Sequence, residues 1–232
     1  MSVIIDDPPP DPNLRASVGA AAGEEKLLEV EVKFFLEDLD EIRNRLGAVA
    51  ATPVSPRVYE RNVRFDTPDQ ALLQRQQLLR LRQDKRVRLT FKGVADEDTT
   101  SEAKVREEIE VAVDDFDRMA IILRRLGFLP LQVYEKYRET YHWRGVEIVL
   151  DQMPFGHFVE LEGREDDLKA VASALGLDWS KRVLANYLAL MEMCRRSFDL
   201  PFADLTFDNF EAHPVDLARL LPVCDLLEMG GE

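Results

Sequence analysis

Carboxylates and cations alternate with apolar residues in short segments along this chain, and the first segment sets the pattern. Leu28-Glu29-Val30-Glu31-Val32-Lys33-Phe34 puts Glu29, Glu31 and Lys33 on one face and Val30, Val32 and Phe34 on the other, because successive side chains of a strand point to opposite sides. The alternation returns in Leu79-Arg80-Leu81-Arg82, Arg88-Leu89-Thr90-Phe91-Lys92, Arg106-Glu107-Glu108-Ile109-Glu110-Val111, Lys136-Tyr137-Arg138, Val149-Leu150-Asp151 and Phe158-Val159-Glu160-Leu161-Glu162. A single such strand is accounted for by a sheet with one solvated face. A whole set is not, since solvated faces are mostly Thr, Ser and Gln with scattered charge. If the strands close into a barrel with an apolar, helix-covered exterior, the charged faces line one water-filled bore.

The elements that must position these faces are legible from periodicity and caps. Strands are expected near 27–36, 57–66, 78–83, 86–93, 102–113, 132–143, 145–151 and 157–163. A helix opens at Asp38, carries Leu39, Ile42 and Leu46 at helical spacing and ends at Gly47; a second opens at Asp114-Asp115 and stops at Gly127. Both follow a charged-face strand and end Leu-Gly, so the two halves of the chain read as a weak internal duplication. Helices at about 165–176 and 179–196 complete an α+β domain over 26–196 with eight strands and four helices. Residues 1–25, with Pro8-Pro9-Pro10-Asp11-Pro12, read as a flexible acidic leader. Residues 197–232 form an acidic extension with Phe198, Phe202, Phe207 and Phe210 and a short amphipathic helix at Val215–Leu221. That extension either docks on its own domain or covers a tunnel mouth or a partner.

Taken in order, these charged blocks, together with Phe65-Asp66-Thr67-Pro68 and Asn186-Tyr187, resemble the CYTH superfamily, the triphosphate tunnel metalloenzymes, over about residues 26–192. The resemblance implies a closed eight-stranded antiparallel β-barrel with helices outside, Mg²⁺ or Mn²⁺ as cofactor, and a small-molecule triphosphate or nucleotide as partner. A triphosphate concentrates negative charge, and fixed Arg forks and Lys point charges meet its oxygens from several sides. Lys33, Arg80, Arg82, Lys92, Lys136 and Arg138 form the expected phosphate-binding set, with Arg106 beside them. By similarity Glu29, Glu31, Glu160 and Glu162 are the metal-side and catalytic candidates, together with Lys33, and Glu108, Glu110 and Asp151 support them. Hard divalent cations prefer such oxygen ligands. Glu108 and Asp151 have an alternative task as salt-bridge partners that orient neighbouring Arg and Lys.

Other features carry simpler readings. Tyr134, Tyr137 and Tyr141 read as wall or mouth residues, and Tyr187 as core, being spaced with Leu184, Leu188 and Met191. Asp66-Thr67-Pro68-Asp69 reads as turn chemistry. Only one of Arg61 and Arg64 can face the bore. His142, His157 and His213 lack ligand spacing, and Cys194 and Cys224 read as reduced thiols. No apolar run is long enough to span a membrane and the start lacks a basic region before an apolar one, so a cytoplasmic location is expected.

The formal charge of -14 gathers at the ends: five acids and one Arg in residues 1–25, eight acids and one Arg in 197–232. No basic surface run stands out, so duplex nucleic acid is not an expected partner; a homodimer is admissible. Three activities compete: hydrolysis of inorganic tripolyphosphate or of a nucleoside or thiamine triphosphate, class IV adenylyl cyclisation of ATP to cyclic AMP and pyrophosphate, and non-catalytic polyphosphate or nucleotide sensing. Both ExE pairs are present and no strong adenine-reading motif is, so hydrolysis leads.

Overall fold

The computed structural model describes residues 28–94 and 101–221; the leader over 1–25 and Cys224 lie outside the described residues. Eight strands are the frame: β1 (Leu28–Leu36), β2 (Thr52–Asp66), β3 (Leu78–Gln83), β4 (Val87–Val94), β5 (Lys104–Val113), β6 (Leu129–Trp143), β7 (Val146–Met153) and β8 (Gly156–Glu162). They pair antiparallel in the order β5-β4-β3-β2-β6-β7-β8-β1, and β1 returns to β5, so the sheet closes into a ring. At the closure Glu29 lies opposite Arg106 and Glu31 opposite Lys104, while on its other edge β1 sets Glu31 against Glu162 and Lys33 against Glu160. This register brings the two ExE pairs together.

The apolar halves of most of these strands face outward and are covered by helices, whereas Ile109 and Val111 of β5 stay exposed. The helices are α1 (Leu39–Ala48), α2 (Ala71–Gln74), α3 (Phe116–Arg125), α4 (Glu165–Ala174), α5 (Tyr187–Ser197) and α6 (Phe207–Ala212). Asp38 caps α1 by accepting from Asp40 N at 2.8 Å, and Asp115 caps α3 through Arg118 N at 2.9 Å. On one side Ile42 and Leu46 of α1 and Leu168, Val171 and Leu175 in and after α4 pack on Val32, Ile148, Leu150, Val159 and Leu161. On another, Leu123 of α3 packs with Val63, Phe65, Leu79 and Leu81. Burying each such side chain stabilises by about 1.5–3 kcal/mol. The outer cores therefore support the fold and leave the bore free for charge. Each half of the chain runs strand, helix, then a 15-residue strand, β2 or β6, and those two long strands pair with each other. This is the placement that the duplicated pattern suggests.

Two local expectations change. The helix expected at 179–196 is divided: Trp179–Lys181 is a 3₁₀ turn, Arg182–Val183 forms a short strand β9 against Lys33 and Phe34, and α5 begins only at Tyr187. Asn186 enforces that start by accepting from Ala189 N at 2.9 Å. Within Val215–Leu221 the described residues form a 3₁₀ turn at Leu217–Arg219, with Leu217 drawn into the core.

One end of the ring is filled with apolar side chains. Met153, Phe155 and Phe158 of the β7–β8 hairpin pack against Tyr187, Leu190, Met191 and Cys194, and behind these against Leu205, Phe210 and Leu217. Leu205 joins the backbone of β6, donating to Val133 O and accepting from Glu135 N, both at 2.9 Å. The described part of the extension thus docks on its own domain. Asp66 serves a turn, accepting from Thr67 N, Leu72 N and Leu73 N at 2.8, 2.9 and 3.1 Å. Among the described residues no helix is long and apolar enough to cross a membrane.

Candidate functional site

The inward halves of the strands bound one cavity of about 2150 Å³. Glu29, Glu31 and Lys33 of β1 line it, as do Arg80 and Arg82 of β3, Lys92 of β4, Arg106 and Glu108 of β5, Lys136 and Arg138 of β6, and Glu160 and Glu162 of β8. Asp151 alone among the expected site residues does not; it is completely buried behind Lys136 and Arg138.

The charges sort into two clusters. In the first, Asp151 accepts from Lys136 Nζ at 2.8 Å and from Arg138 Nε and Nη2 at 2.7 and 2.6 Å. Arg138 Nη2 also reaches Glu160 at 2.6 Å, and Lys33 Nζ lies 3.2 Å from the other Glu160 oxygen. Burial opposes ionisation of Glu160, yet Lys33, Arg138 and Lys136 outweigh it and hold its pKa well below the usual carboxylate range. Tyr187 closes this cluster from the plugged end. Its hydroxyl donates to Asp151 at 3.1 Å, and Lys33 Nζ sits 4.3 Å from its ring centre. Next door, Arg80 donates to Tyr134 and Thr90 at 3.2 Å each, and Arg82 donates to Glu110 at 3.0 Å. Charge-assisted, multiply bonded cations of this kind are held in place before any ligand arrives.

The second cluster is acidic. Glu29 and Glu108 share Lys92, whose ammonium bonds Glu29 and lies 2.9 Å from Glu108. Burial is the main cause that raises Glu29 to about 8; Lys92 opposes it, and Glu31 and Glu108 add to it. Burial likewise raises Glu162, and Glu147, its partner across β7 and β8, adds to the rise. No side-chain hydrogen bond or ion pair among the described residues involves Glu31, Glu147 or Glu162. Oxygen donors crowded with unbalanced negative charge match the chemistry of a hard divalent cation. Among the described residues no three of them converge on one point.

Several participants escape the sequence. Asn62 and Arg64 point inward with Glu60, and Arg61 points outward over the Phe116 ring; Arg64 is the member of that pair that reaches the cavity. Lys104, Arg88 and Glu147 also line it; the period-2 pattern of β4 and β5 was the available signal for the first two. Tyr187 packs in the apolar core as expected and also places its hydroxyl in the polar network.

Comparison with known proteins bears on this geometry. The "Putative adenylate cyclase" of Methanocaldococcus jannaschii is 28% identical over 144 residues, 61% of this chain and 80% of that protein. A Vibrio parahaemolyticus structure described as a "putative adenylate cyclase" superposes with a TM-score of 0.62 at 21% identity, over 69% of this chain and 95% of its own. A Hippeastrum structure, a "putative adenylyl cyclase" reported to reveal a dominant triphosphatase activity, has a TM-score of 0.50 at 18% identity, over 73% of this chain and 95% of that one. At these identities the two structures establish the shared fold. The CYTH domain family model matches residues 27–180, the span that forms the ring and its charged cavity, and the chain belongs to the CYTH domain family.

Proposed function

We propose that the protein is a divalent-metal-dependent phosphohydrolase that cleaves a triphosphate, either inorganic tripolyphosphate or a nucleoside or thiamine triphosphate, inside the tunnel. The observation that carries this reading is the separation of charge within one cavity, with anchored cations on one side and, on the other, carboxylates of which, among the described residues, only Glu29 and Glu108 share an ammonium. Lys33, Lys136, Arg138, Arg80 and Arg82 hold the phosphate oxygens. Asp151 keeps Lys136 and Arg138 extended toward the bore, and Glu160 does the same for Lys33 and Arg138. Glu29, Glu31, Glu108 and Glu162 are the residues that would hold Mg²⁺ or Mn²⁺, with Glu147 beside them. When bound there, the cation offsets phosphate charge and activates the attacking water. The apolar plug around Phe155, Phe158 and Tyr187 excludes water from one end, which strengthens every ionic contact at the cationic cluster.

Adenylyl cyclisation is the second reading, favoured by the name of the Methanocaldococcus relative. It uses the same phosphate-binding cations but needs the α-phosphorus, not the terminal one, at the activated position. Purified protein with Mg²⁺ or Mn²⁺ is offered tripolyphosphate, ATP and thiamine triphosphate separately, and orthophosphate, pyrophosphate and cyclic AMP are quantified. Orthophosphate release is expected. Cyclic AMP as the main product from ATP replaces hydrolysis with cyclisation, and binding without any product leaves a sensor.

A further inference from the structure

Beneath the cationic cluster lies a carboxylate to which the reading above gives no task. Glu60, in the middle of β2, is 3% exposed and is not among the residues that line the cavity. Arg82 Nη1 lies 3.7 Å from its Oε1 and Lys136 Nζ 3.8 Å from its Oε2, both too long for hydrogen bonds. Oε2 has no hydrogen-bond partner. Two residues on and on the same face, Asn62 is 0% exposed, and neither polar atom of its side chain has a partner.

A buried carboxylate without hydrogen bonds is a poor way to stabilise a fold, and an apolar residue of similar volume would serve better. Glu60 does not orient the cations either. Asp151 orients Lys136 and Arg138, and Glu110 orients Arg82. What distinguishes Glu60 is where its charge sits. Burial works against ionisation, yet Lys136, Arg138, Arg82 and Arg80 together keep it ionised, with a pKa of about 2. Its influence on these four cations is exerted through the field and not through contact geometry.

We propose that Glu60 is a built-in counter-anion that competes with phosphate for Arg80, Arg82, Lys136 and Arg138, weakening the tunnel's hold on the phosphate chain so that product leaves. The role rests on the triphosphate reading of the cavity. In the empty tunnel Glu60 offsets repulsion among the cations. With phosphates in place it repels them across a medium of low dielectric, where a unit charge several ångströms away acts strongly. Glu60 is thus a positioning residue of an electrostatic kind, and removing its charge should tighten binding, a direction that loss of mere structural support does not produce.

The test is calorimetric titration of tripolyphosphate in EDTA, which withholds the divalent ion and with it turnover. Glu60→Gln keeps the shape and removes the charge; Glu60→Asp keeps the charge and draws it back from the cations. The Gln variant is expected to bind at least about fivefold tighter than wild type, with a steeper salt dependence, and the Asp variant to fall between. With metal present, KM falls by a larger factor than kcat. Should the Gln variant fail to fold, the Asp variant must still bind tighter. If wild type binds tripolyphosphate and the folded variants bind it equally or more weakly, the counter-anion role is overturned while the triphosphate reading stands. If wild type binds neither tripolyphosphate nor ATP, in EDTA or with divalent ion present, the triphosphate reading fails and the role fails with it.

Discussion

The cationic and acidic clusters face the same cavity but are built on opposite principles. Around Asp151 each cation has an anionic or hydroxyl partner within the protein, several at 2.6–2.8 Å. The acids around Glu29 have one ammonium between two of them, and Glu31, Glu147 and Glu162 have no ion pair among the described residues. Desolvation therefore has opposite outcomes. Glu160 is buried and driven to ionise by its cations, whereas Glu29 is buried and driven to hold its proton. One wall is complete without ligand and presents a rigid surface to an anion. The other is electrostatically unfinished, and in the proposed function an external cation would finish it.

The sharpest way to break this contrast is to make the same isosteric change in both ExE pairs. Glu29→Gln should reduce turnover by about a thousandfold or more, since it removes a ligand on the metal side. It should leave the thermal midpoint in EDTA close to that of wild type, because Glu29, raised to about 8 by burial, already keeps its proton at neutral pH. Glu160→Gln should also abolish turnover, but through the fold: it leaves Lys33 and Arg138 short of a buried partner and should destabilise by about 3–5 kcal/mol. Equal melting shifts in the two variants, or full activity in either, would dissolve the distinction between the walls.

How much of this was legible depended on whether the signal was local. The alternation of β1, β3 and β8, and of β5 apart from Glu107, announced an inward polar face, and all of the expected phosphate-binding residues line the cavity. In β2 both parities carry polar residues, Glu60, Asn62 and Arg64 on one and Arg61 on the other. The outer core decides between them, by burying Val63 and Phe65 on the parity of Arg61 and placing Phe116 of α3 under Arg61. The break at Arg182–Val183 has no local cause strong enough to read; it exists because β1 has a free stretch at Lys33 and Phe34 with which to pair. Tyr187 sits in an apolar helical spacing that reads as core. The same ring is core on one side and polar on the other because α5 begins across the end of the bore, which is a property of the assembled ring and not of the helix.

Within the cationic wall the contrast predicts graded losses of binding. Arg82 lines the cavity and has Glu110 at 3.0 Å as its close partner. Arg82→Ala should raise KM for the hydrolysed triphosphate about tenfold, the scale of one charge-assisted hydrogen bond, with a smaller change in kcat. A kcat collapse at unchanged KM would move Arg82 from binding to chemistry.

The smallest effect tests a cation that belongs to neither wall. Lys104 lines the cavity opposite Glu31, makes no ion pair among the described residues, and has Leu184 O at 3.5 Å as its hydrogen-bond partner. Burial pushes its ammonium down to about 8, Lys33, Arg106 and Lys92 add to the fall, and Glu31 opposes it. An unfolded Lys keeps its proton up to 10.5. Between about 8 and 10.5 the unfolded chain therefore binds more protons than the folded one, and this group makes stability rise with pH across that window. Anion binding runs the other way, because a phosphate gains from Lys104 only while the ammonium is charged. The affinity for tripolyphosphate in EDTA should fall a few-fold between about pH 7 and about pH 9. In Lys104→Arg, where the guanidinium stays charged throughout, the fall should shrink to whatever the ligand's own titration contributes. An identical fall in both proteins would show that Lys104 does not reach the phosphates.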